Sequence, residues 1–140
     1  MLYSIKKVHL IGIGGIGMSG IAELLKNKEF VVSGSDIADS PNVQRLIDLG
    51  INVSIGHNKE NISDAELVIY SAAIPKENSE LVEALAKNII VYSRARMISE
   101  IAKLNNSTVA IAGTHGKTTT TSMVGTILKA INLDPTIIVG

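Results

Sequence analysis

Two glycine-rich segments carry most of the residues whose types and spacing can do chemistry. The first follows the pattern G-x-G-x-x-G over residues 12–17, and the second reads Gly-Thr-His-Gly-Lys-Thr over residues 113–118. Glycines let a backbone turn tightly and let a phosphate approach it closely, and the amides at the start of a helix then hold the anion. Each segment therefore predicts a phosphate-binding loop.

The first loop lies between a predicted strand and a predicted helix, and Asp36 follows Gly17 by 19 residues. An acidic side chain at the end of the second strand can accept a hydrogen bond from a ribose hydroxyl. These features predict a nucleotide that contains a diphosphate, without deciding between NAD, FAD and a nucleotide sugar. The alternative is that the glycines only allow the strand and the helix to pack closely. The candidate contacts in this loop are Gly12, Gly14, Gly15, Ile16 and Gly17.

The predicted ends of the other strands add small and polar residues. Ligands of open α/β sheets bind at the carboxyl ends of the strands. This sequence places there Ser35, Asp36, Ser71, Ala72 and Arg94. Arg94 can pair with a phosphate or carboxylate through two parallel hydrogen bonds, or it can be a solvated arginine at a helix start. We expect these five residues to contact the same nucleotide.

The second loop follows the apolar run 109–112 and precedes a predicted helix, which is the setting of a P-loop. Its amides would hold the phosphates of ATP, Lys117 would act as the catalytic residue by neutralising the β and γ oxygens, and Thr118 would bind Mg²⁺. His115 can touch a phosphate or simply fill the loop. The general pattern G-x-x-x-x-G-K-[ST] asks for glycine where this chain has Ile111, so we expect a shortened loop that begins at Gly113. The expected ATP contacts are Gly113, Thr114, His115, Gly116, Lys117, Thr118 and Thr119.

These loops need a scaffold of strands, and the chain supplies short β-branched runs that alternate with segments of helical periodicity. We expect an α/β fold with a Rossmann-like, mostly parallel sheet and flanking helices. Predicted strands cover 7–11, 30–34, 51–55, 67–71, 89–93, 108–112 and 136–139. Predicted helices cover 16–27, 77–87, 95–104, 117–131 and a segment that starts at Ser40 and Pro41 and ends at Gly50.

A polar break at Asn105, Asn106 and Ser107 interrupts this alternation. We predict a domain boundary there, with a Rossmann-like domain over 1–104 and the opening β-α-β of a P-loop ATPase domain over 105–140. A strand, a helix and a strand of this length cannot cover a parallel sheet on both faces. The second domain is therefore expected to be incomplete.

Composition narrows the classes of partner. Hydrophobic residues make up 46% and charged residues 19% of the chain, which predicts a soluble domain with a core. The 13 basic residues balance the 13 acidic ones and aromatic residues are 3%, which argues against nucleic acid and anionic membranes as partners. Five glycines interrupt the uncharged stretch 8–22, unlike a signal peptide. Because the chain has no cysteine, it suits a reducing compartment, and we expect a cytoplasmic location.

Taken together and in this order, the two loops resemble those of the Mur ligases of peptidoglycan synthesis. The similarity rests on residues 12–20, 34–36, 71–75 and 113–123, and it extends over the whole chain. It implies that the first domain holds UDP-N-acetylmuramate and that the central domain holds ATP and Mg²⁺. It also implies an ATP-dependent ligase, in which the lactyl carboxylate of the sugar is phosphorylated and the amine of L-alanine then displaces phosphate.

The same resemblance implies that residues 1–140 are an N-terminal portion, which binds the sugar nucleotide weakly and does not turn over alone. Arg96 departs from the resemblance, because the family commonly carries glutamate at this place. Three alternatives remain: an NAD-dependent oxidoreductase domain, a non-enzymatic nucleotide-binding module, and the related ligase that attaches a whole peptide to the same sugar nucleotide.

Overall fold

Over residues 4–104 and 107–139, the part of the chain that the computed structural model describes, five parallel strands form one sheet with helices on both faces. The strands are β1 (Lys7–Ile11), β2 (Val31–Asp36), β3 (Asn52–Ile55), β4 (Leu67–Tyr70) and β5 (Ile90–Ser93). The helices are α1 (Ile16–Asn27), α2 (Pro41–Asp48), α3 (Ser79–Ala86), α4 (Arg94–Lys103) and α5 (Lys117–Ala130). A short 3₁₀ helix, Lys59–Ile62, precedes β4.

The order of the strands across the sheet is β3-β2-β1-β4-β5, and every neighbouring pair is parallel. This arrangement confirms the predicted α/β fold with a Rossmann-like sheet. The chain adds β2 and β3 on one side of β1 and then adds β4 and β5 on the other side. The strand order therefore reverses between β1 and β4, and we call this point the reversal. Ligands of open α/β sheets bind beside such a reversal, at the carboxyl ends of the strands.

Two apolar layers, one on each face of the sheet, hold the strands in place. Because alternate residues of a strand point to opposite faces, Val8 and Leu10 pack on one face with residues of α1, α2 and α4. Ile11 and Val68 pack on the other face with residues of α3 and the 3₁₀ helix. Each fully buried side chain of this kind contributes roughly 1.5–3 kcal/mol. The ends of β1 and β4 are therefore well anchored.

The second helix begins and ends where the sequence predicts. Ser40 caps α2 by accepting a hydrogen bond from the amide of Val43 at 3.3 Å, and Pro41 takes the first helical position. Gly50 follows the helix at φ +78°, a conformation that glycine adopts without the penalty of a side chain. This ending lets the chain turn directly into β3.

The two strands predicted at 108–112 and 136–139 are wrong. Within the described residues, neither segment pairs with a neighbouring strand. β-Branched residues form a strand only where a neighbour takes up the backbone N–H and C=O groups. Ile137 lies instead against Gly125 of α5, and Ile138 packs against the core of the sheet. The helix predicted between the two segments is confirmed as α5.

The predicted domain boundary stays a prediction. It depends on Asn105 and Asn106, which lie outside the described residues. Across the break, the hydroxyl of Thr108 donates a hydrogen bond to the carbonyl oxygen of Ala102 at 3.2 Å. None of the helices over 4–104 and 107–139 is both long enough and apolar enough to cross a bilayer.

Candidate nucleotide-binding site

The carboxyl ends of β1, β2 and β4 meet at the first glycine loop. An alanine methyl group at Gly12 would lie 3.3 Å from the Ser71 hydroxyl, which follows β4. A methyl group at Gly14 would lie 3.0 Å from Oδ2 of Asp36, which ends β2. The structure thus brings together the candidate residues of three strands, on both sides of the reversal between β1 and β4.

The loop is anchored to the end of β2 through its own backbone. The amides of Gly12 and Ile13 both donate to the carbonyl oxygen of Ser35, at 2.8 and 3.0 Å. Gly12 has φ +77°, in the left-handed region that favours glycine. The amide of Gly15 then donates back to the Gly12 carbonyl at 3.3 Å. Ser35 therefore fixes the point at which the loop leaves the sheet.

Asp36 braces the middle of the loop. Its Oδ2 accepts a hydrogen bond from the amide of Gly14 at 2.8 Å, and its Oδ1 accepts one from the amide of Ala38 at 3.1 Å. From the other side, the Asn42 side-chain amide donates to the Gly14 carbonyl at 3.0 Å. The predicted contact between Asp36 and a ribose stays a prediction, and the structure adds this second role for the carboxylate.

The N-terminus of α1 presents amides that suit an anion. Gly15 is the N-cap residue, and no side chain caps the helix there. The first amides of a helix have no acceptor within the helix, and the helix dipole adds positive charge at this end. In α1 these amides belong to Ile16, Gly17 and Met18, since the amide of Ser19 donates to Gly15. The side chain of Ile16 is 79% exposed, so this end of the helix faces solvent.

Arg94 reaches the same helix end from the first turn of α4. Its guanidinium lies directly against the α-carbon of Gly17, in space that a larger residue would fill. Among the ion pairs of the described residues, none involves Arg94. A guanidinium without a carboxylate, placed at the positive end of a helix, favours a bound anion.

The remaining candidates of this crevice differ in exposure. Ala72 is exposed and Ser71 is half-buried, with the Ser71 hydroxyl accepting a hydrogen bond from the Ala73 amide at 3.2 Å. Ser35 is completely buried, and its hydroxyl donates to Glu80 at 2.6 Å. In this arrangement Ser35 shapes the site through its carbonyl group, whereas Ser71 and Ala72 lie at its rim.

The second loop, residues 113–118, leads into α5 through two glycines in unusual conformations. Gly116 is the N-cap residue of α5 at φ +77°, and no side chain caps this helix. Gly113 has φ +157°. The ammonium group of Lys117 donates to the Gly113 carbonyl at 2.8 Å and so closes the loop on itself. The candidates Thr114, His115, Gly116, Lys117, Thr118 and Thr119 are all exposed.

Comparison with known proteins decides the family of the chain. The family described as "Mur ligase family, catalytic domain" matches residues 7–106. The chain belongs to the Mur ligase family.

Individual Mur ligases show the same similarity over a limited part of their length. The chain is 59% identical over 133 residues to the UDP-N-acetylmuramate--L-alanine ligase of Agrobacterium fabrum, which covers 95% of the chain and 28% of that relative. A solved structure of UDP-N-acetylmuramate-alanine ligase from Thermotoga maritima superposes with a TM-score of 0.85 at 35% identity, over 90% of this chain and 30% of that one. A murein peptide ligase from Psychrobacter arcticus gives a TM-score of 0.84 at 28% identity, over 91% of this chain and 27% of that one. This Mur ligase chain therefore spans less than a third of the length of these relatives.

Arg96, the departure from the Mur ligase pattern, has a local partner. Its guanidinium lies 4.7 Å from the centroid of the Tyr92 ring, which is the geometry of a cation–π contact. The hydroxyl of Ser93 caps α4 by accepting a hydrogen bond from the Arg96 amide at 3.2 Å. The exposed Arg96 side chain is thus accommodated by stacking.

The second loop of this Mur ligase chain fits one part of a magnesium site. The hydroxyl of Thr118 is a hard oxygen donor at the start of α5, and Mg²⁺ is commonly held by such a group together with phosphate oxygens. No group of acidic, histidine or cysteine residues over 4–104 and 107–139 is arranged to hold a metal ion. The binding of Mg²⁺ by Thr118 stays a prediction.

Sequence reasoning missed a buried polar cluster on the face of the sheet that α3 covers, opposite the face that α1 covers. Glu80 of α3 is completely buried beside His9, Ser35 and His57. Burial raises the pKa of Glu80, but interactions with His9, Ser35 and Asn61 outweigh burial and hold it at about 2. The signal available in the sequence was the spacing of four residues between Glu80 and Ala84 in a predicted helix, which puts both on one face. The structure buries both residues.

Proposed function

We propose that this chain is the N-terminal part of an ATP-dependent ligase that joins L-alanine to UDP-N-acetylmuramate. The identity of 59% to a relative of that name carries the proposal. It is supported by two separate helix N-termini, each preceded by a glycine loop and each lacking a side-chain cap. A single-nucleotide protein would need one such site, whereas the proposed ligase uses two phosphorylated substrates.

The first site would hold the diphosphate of UDP-N-acetylmuramate. The amides of Ile16, Gly17 and Met18 would donate to one phosphate, and the guanidinium of Arg94 is placed to pair with the same charge. Ser71, which lies beside Gly12, and the exposed Ala72 would contact the nucleotide from the end of β4. A methyl group at Gly15 would meet no atom closer than 3.4 Å, so this glycine leaves the most room for the diphosphate to approach the backbone.

The second site would hold the phosphates of ATP on residues 113–118. Lys117 donates to the Gly113 carbonyl in the structure, and in the complex its ammonium group would turn to the β and γ phosphate oxygens. Mg²⁺, when bound, would neutralise phosphate charge and orient the γ-phosphoryl group. Thr118 would contribute its hydroxyl to that ion, and the exposed amides of the first turn of α5 would fix the phosphates.

The proposed reaction has two steps. The lactyl carboxylate of UDP-N-acetylmuramate attacks the γ-phosphorus of ATP, which gives an acyl phosphate and ADP. The amine of L-alanine then attacks the acyl carbon, loses a proton, and displaces inorganic phosphate to leave an amide. Residues of this chain would position the two phosphorylated substrates and neutralise charge, which supplies much of the catalysis in phosphoryl transfer.

The proposal extends to the organisation of the chain. Residues 1–104 would form the sugar-nucleotide domain and residues 105–140 the start of the ATP domain. Alone, the chain would bind substrate weakly without turnover. The absence of cysteine is compatible with a cytoplasmic location, where a reducing environment prevails.

Isothermal titration calorimetry of the 140-residue chain tests the first site. We expect UDP-N-acetylmuramate to bind in preference to NADH, and Arg94→Ala to weaken that binding about tenfold because a charge-assisted contact is lost. Arg96→Ala is the matched control, since it removes the same charge two residues away on the same helix. Preferential binding of NADH would instead support an oxidoreductase domain.

The choice of amino acid is tested in the complete ligase that carries this segment. Assays of ATP-dependent phosphate release would compare L-alanine with a murein tripeptide as acceptor. Turnover with L-alanine alone supports the proposal. Turnover with the peptide alone would assign the chain to the peptide ligases, to which the Psychrobacter arcticus structure belongs.

A further inference from the structure

Glu80 is a buried charged residue that the proposed chemistry does not use. The residue lies on α3 and has no exposed surface. Its Oε1 accepts hydrogen bonds from the side-chain amide of Asn61 and from the backbone amide of Asn58. Its Oε2 accepts one from the Ser35 hydroxyl at 2.6 Å. A carboxylate this deeply buried is maintained only where several donors converge on it.

Two histidines complete the surroundings of this carboxylate. Nδ1 of His57, which follows β3, lies 3.3 Å from Glu80 Oε2 and 3.0 Å from the Ser35 hydroxyl. Nε2 of His9, on β1, lies 3.8 Å from the same carboxylate oxygen. His9 Nε2 has no hydrogen-bond partner in the described residues, while Nδ1 is paired with the Ser33 hydroxyl at 2.9 Å. Glu80 thus links β1, β2, the 3₁₀ segment and α3.

Ser35 connects this cluster to the glycine loop. Its hydroxyl is bonded to Glu80 on one side, and its carbonyl oxygen accepts the amides of Gly12 and Ile13 on the other. The next residue, Asp36, holds Gly14. A shift at the end of β2 would therefore move three consecutive residues of the loop. Hydrogen bonds in such a network support one another because the local dielectric is low.

We propose that Glu80 is a positioning residue of the sugar-nucleotide site, which it holds in its binding geometry through Ser35. This inference rests on the proposed function, because it assigns the loop of residues 12–17 to UDP-N-acetylmuramate. Glu80 does not touch the ligand. It fixes the Ser35 carbonyl, and the carbonyl fixes the amides that start the loop.

Ser35→Ala is the deciding variant, with Glu80→Gln as the second. Both should weaken binding of UDP-N-acetylmuramate to the 140-residue chain about tenfold in calorimetry, the effect of losing one hydrogen bond of a buried network. Ser33→Ala is the matched control. It removes the same hydroxyl from the same strand and the same face, and its hydroxyl also reaches the cluster through His9, but its carbonyl does not hold the loop. We expect this control to bind as wild type does.

Amide hydrogen exchange measured by NMR gives a readout that does not need the ligand. In Ser35→Ala and Glu80→Gln, the amides of Gly12 and Ile13 should exchange faster, whereas those of β4 should not. Unchanged exchange at Gly12 and Ile13 overturns the inference, and so does an equal effect of Ser33→Ala. If the wild-type chain fails to bind UDP-N-acetylmuramate at all, the proposed function is wrong, and the role of Glu80 in its site is wrong with it.

Steady-state kinetics of the complete ligase separates positioning from general damage. Ser35→Ala should raise the KM for UDP-N-acetylmuramate and leave kcat and the KM for ATP unchanged. Equal losses in all three parameters would show that the variant disturbs the whole fold, and would overturn the inference. Because Ser35→Ala removes a single hydroxyl, it tests the idea even where Glu80→Gln does not fold.

Discussion

Asp36 shows at the scale of a single residue how a predicted ligand contact can also be a structural brace. Its two carboxylate oxygens accept the amides of Gly14 and Ala38, so one side chain holds the loop and the segment that leads to α2. Each carboxylate oxygen can accept a second hydrogen bond. The predicted contact with a ribose hydroxyl is therefore compatible with the brace, and the two roles can be tested together.

Asp36→Ala should lower both stability and affinity. We expect a loss of about 1–3 kcal/mol in the free energy of unfolding, because the amide of Gly14 is left without its acceptor. Affinity for UDP-N-acetylmuramate should fall about tenfold or more. Urea unfolding and calorimetry check the two values. Asp39→Ala, which removes an exposed carboxylate three residues later, should change neither. Equal effects of the two variants would contradict a specific role for Asp36.

Glu80 makes stability depend on pH in the acid range. Its pKa is about 2 in the folded protein and near 4.5 ordinarily. The depressed pKa means that its contribution is fully present above about pH 4.5 and is lost as the pH falls toward 2. Between pH 6 and pH 3 the stability difference between wild type and Glu80→Gln should shrink by about 2 kcal/mol. Urea unfolding at both pH values measures this change, and a constant difference would contradict it.

At the scale of elements, the glycines of the first loop and helix have different reasons to be there. A methyl group at Gly14 would lie 2.8 Å from the Val43 side chain and 3.0 Å from Asp36. A methyl group at Gly20, in the middle of α1, would meet nothing within 4 Å. The first glycine allows α2 to approach the loop, whereas the second is not required by packing.

Gly14→Ala and Gly20→Ala should therefore act in opposite directions. We expect the first to destabilise the fold by about 1–3 kcal/mol through overpacking. We expect the second to stabilise it by roughly 0.5–1 kcal/mol, because alanine is the better helix former. Thermal or urea unfolding of the two variants checks the signs. Stabilisation by Gly14→Ala would show that the loop can move away from α2 at little cost.

Elements held by local chemistry were predictable from the sequence, and those that depend on a partner were not. The strand β1 and the helix α1 were predicted to the residue, and Ser40, Pro41 and Gly50 mark α2 by well-understood capping rules. The segments 108–112 and 136–139 have the β-branched residues of strands, but a strand needs a neighbour to pair with. Periodicity reports which face of an element is apolar and says nothing about that neighbour.

The candidate site was predictable to a similar depth. The glycine pattern and the strand ends predicted which residues gather at the reversal, including Arg94. Contacts between a strand and the helix that covers it were not predictable. The contact of His9 with Glu80, for example, depends on which helix covers β1. The amide of Gly14 likewise finds Asp36 only once β1 and β2 are paired in register.

At the scale of the whole molecule, the two loops lead into different helices and should bind their ligands independently. The first loop follows β1, a central strand of the sheet, and leads into α1. The second loop leads into α5, and in the described residues no strand of the sheet lies directly before it. The proposed ligase brings them to one reaction only through the substrates. A substitution in one loop should therefore leave binding at the other unchanged.

Lys117→Ala tests this independence in the complete ligase. We expect turnover to fall by a factor of about a thousand or more, since the charge on the transferred phosphoryl group loses its main counter-charge from this chain. The affinity for UDP-N-acetylmuramate, measured by calorimetry, should stay within about twofold of wild type, a difference well below that of one hydrogen bond. A large loss of sugar-nucleotide binding would show that the two sites are coupled.

The position of Arg94 against Gly17 has a practical consequence for anyone who assays this chain. Over residues 4–104 and 107–139 this guanidinium pairs with no carboxylate, and a guanidinium at a helix end does not distinguish strongly among small oxyanions. Sulfate or phosphate from the buffer would therefore compete there with the sugar nucleotide. Raising ionic strength would also screen the attraction, since the Debye length falls from about 10 Å at 0.1 M salt to about 3 Å at 1 M. Apparent affinities should therefore be highest in dilute chloride and should decline on adding sulfate faster than ionic strength alone explains.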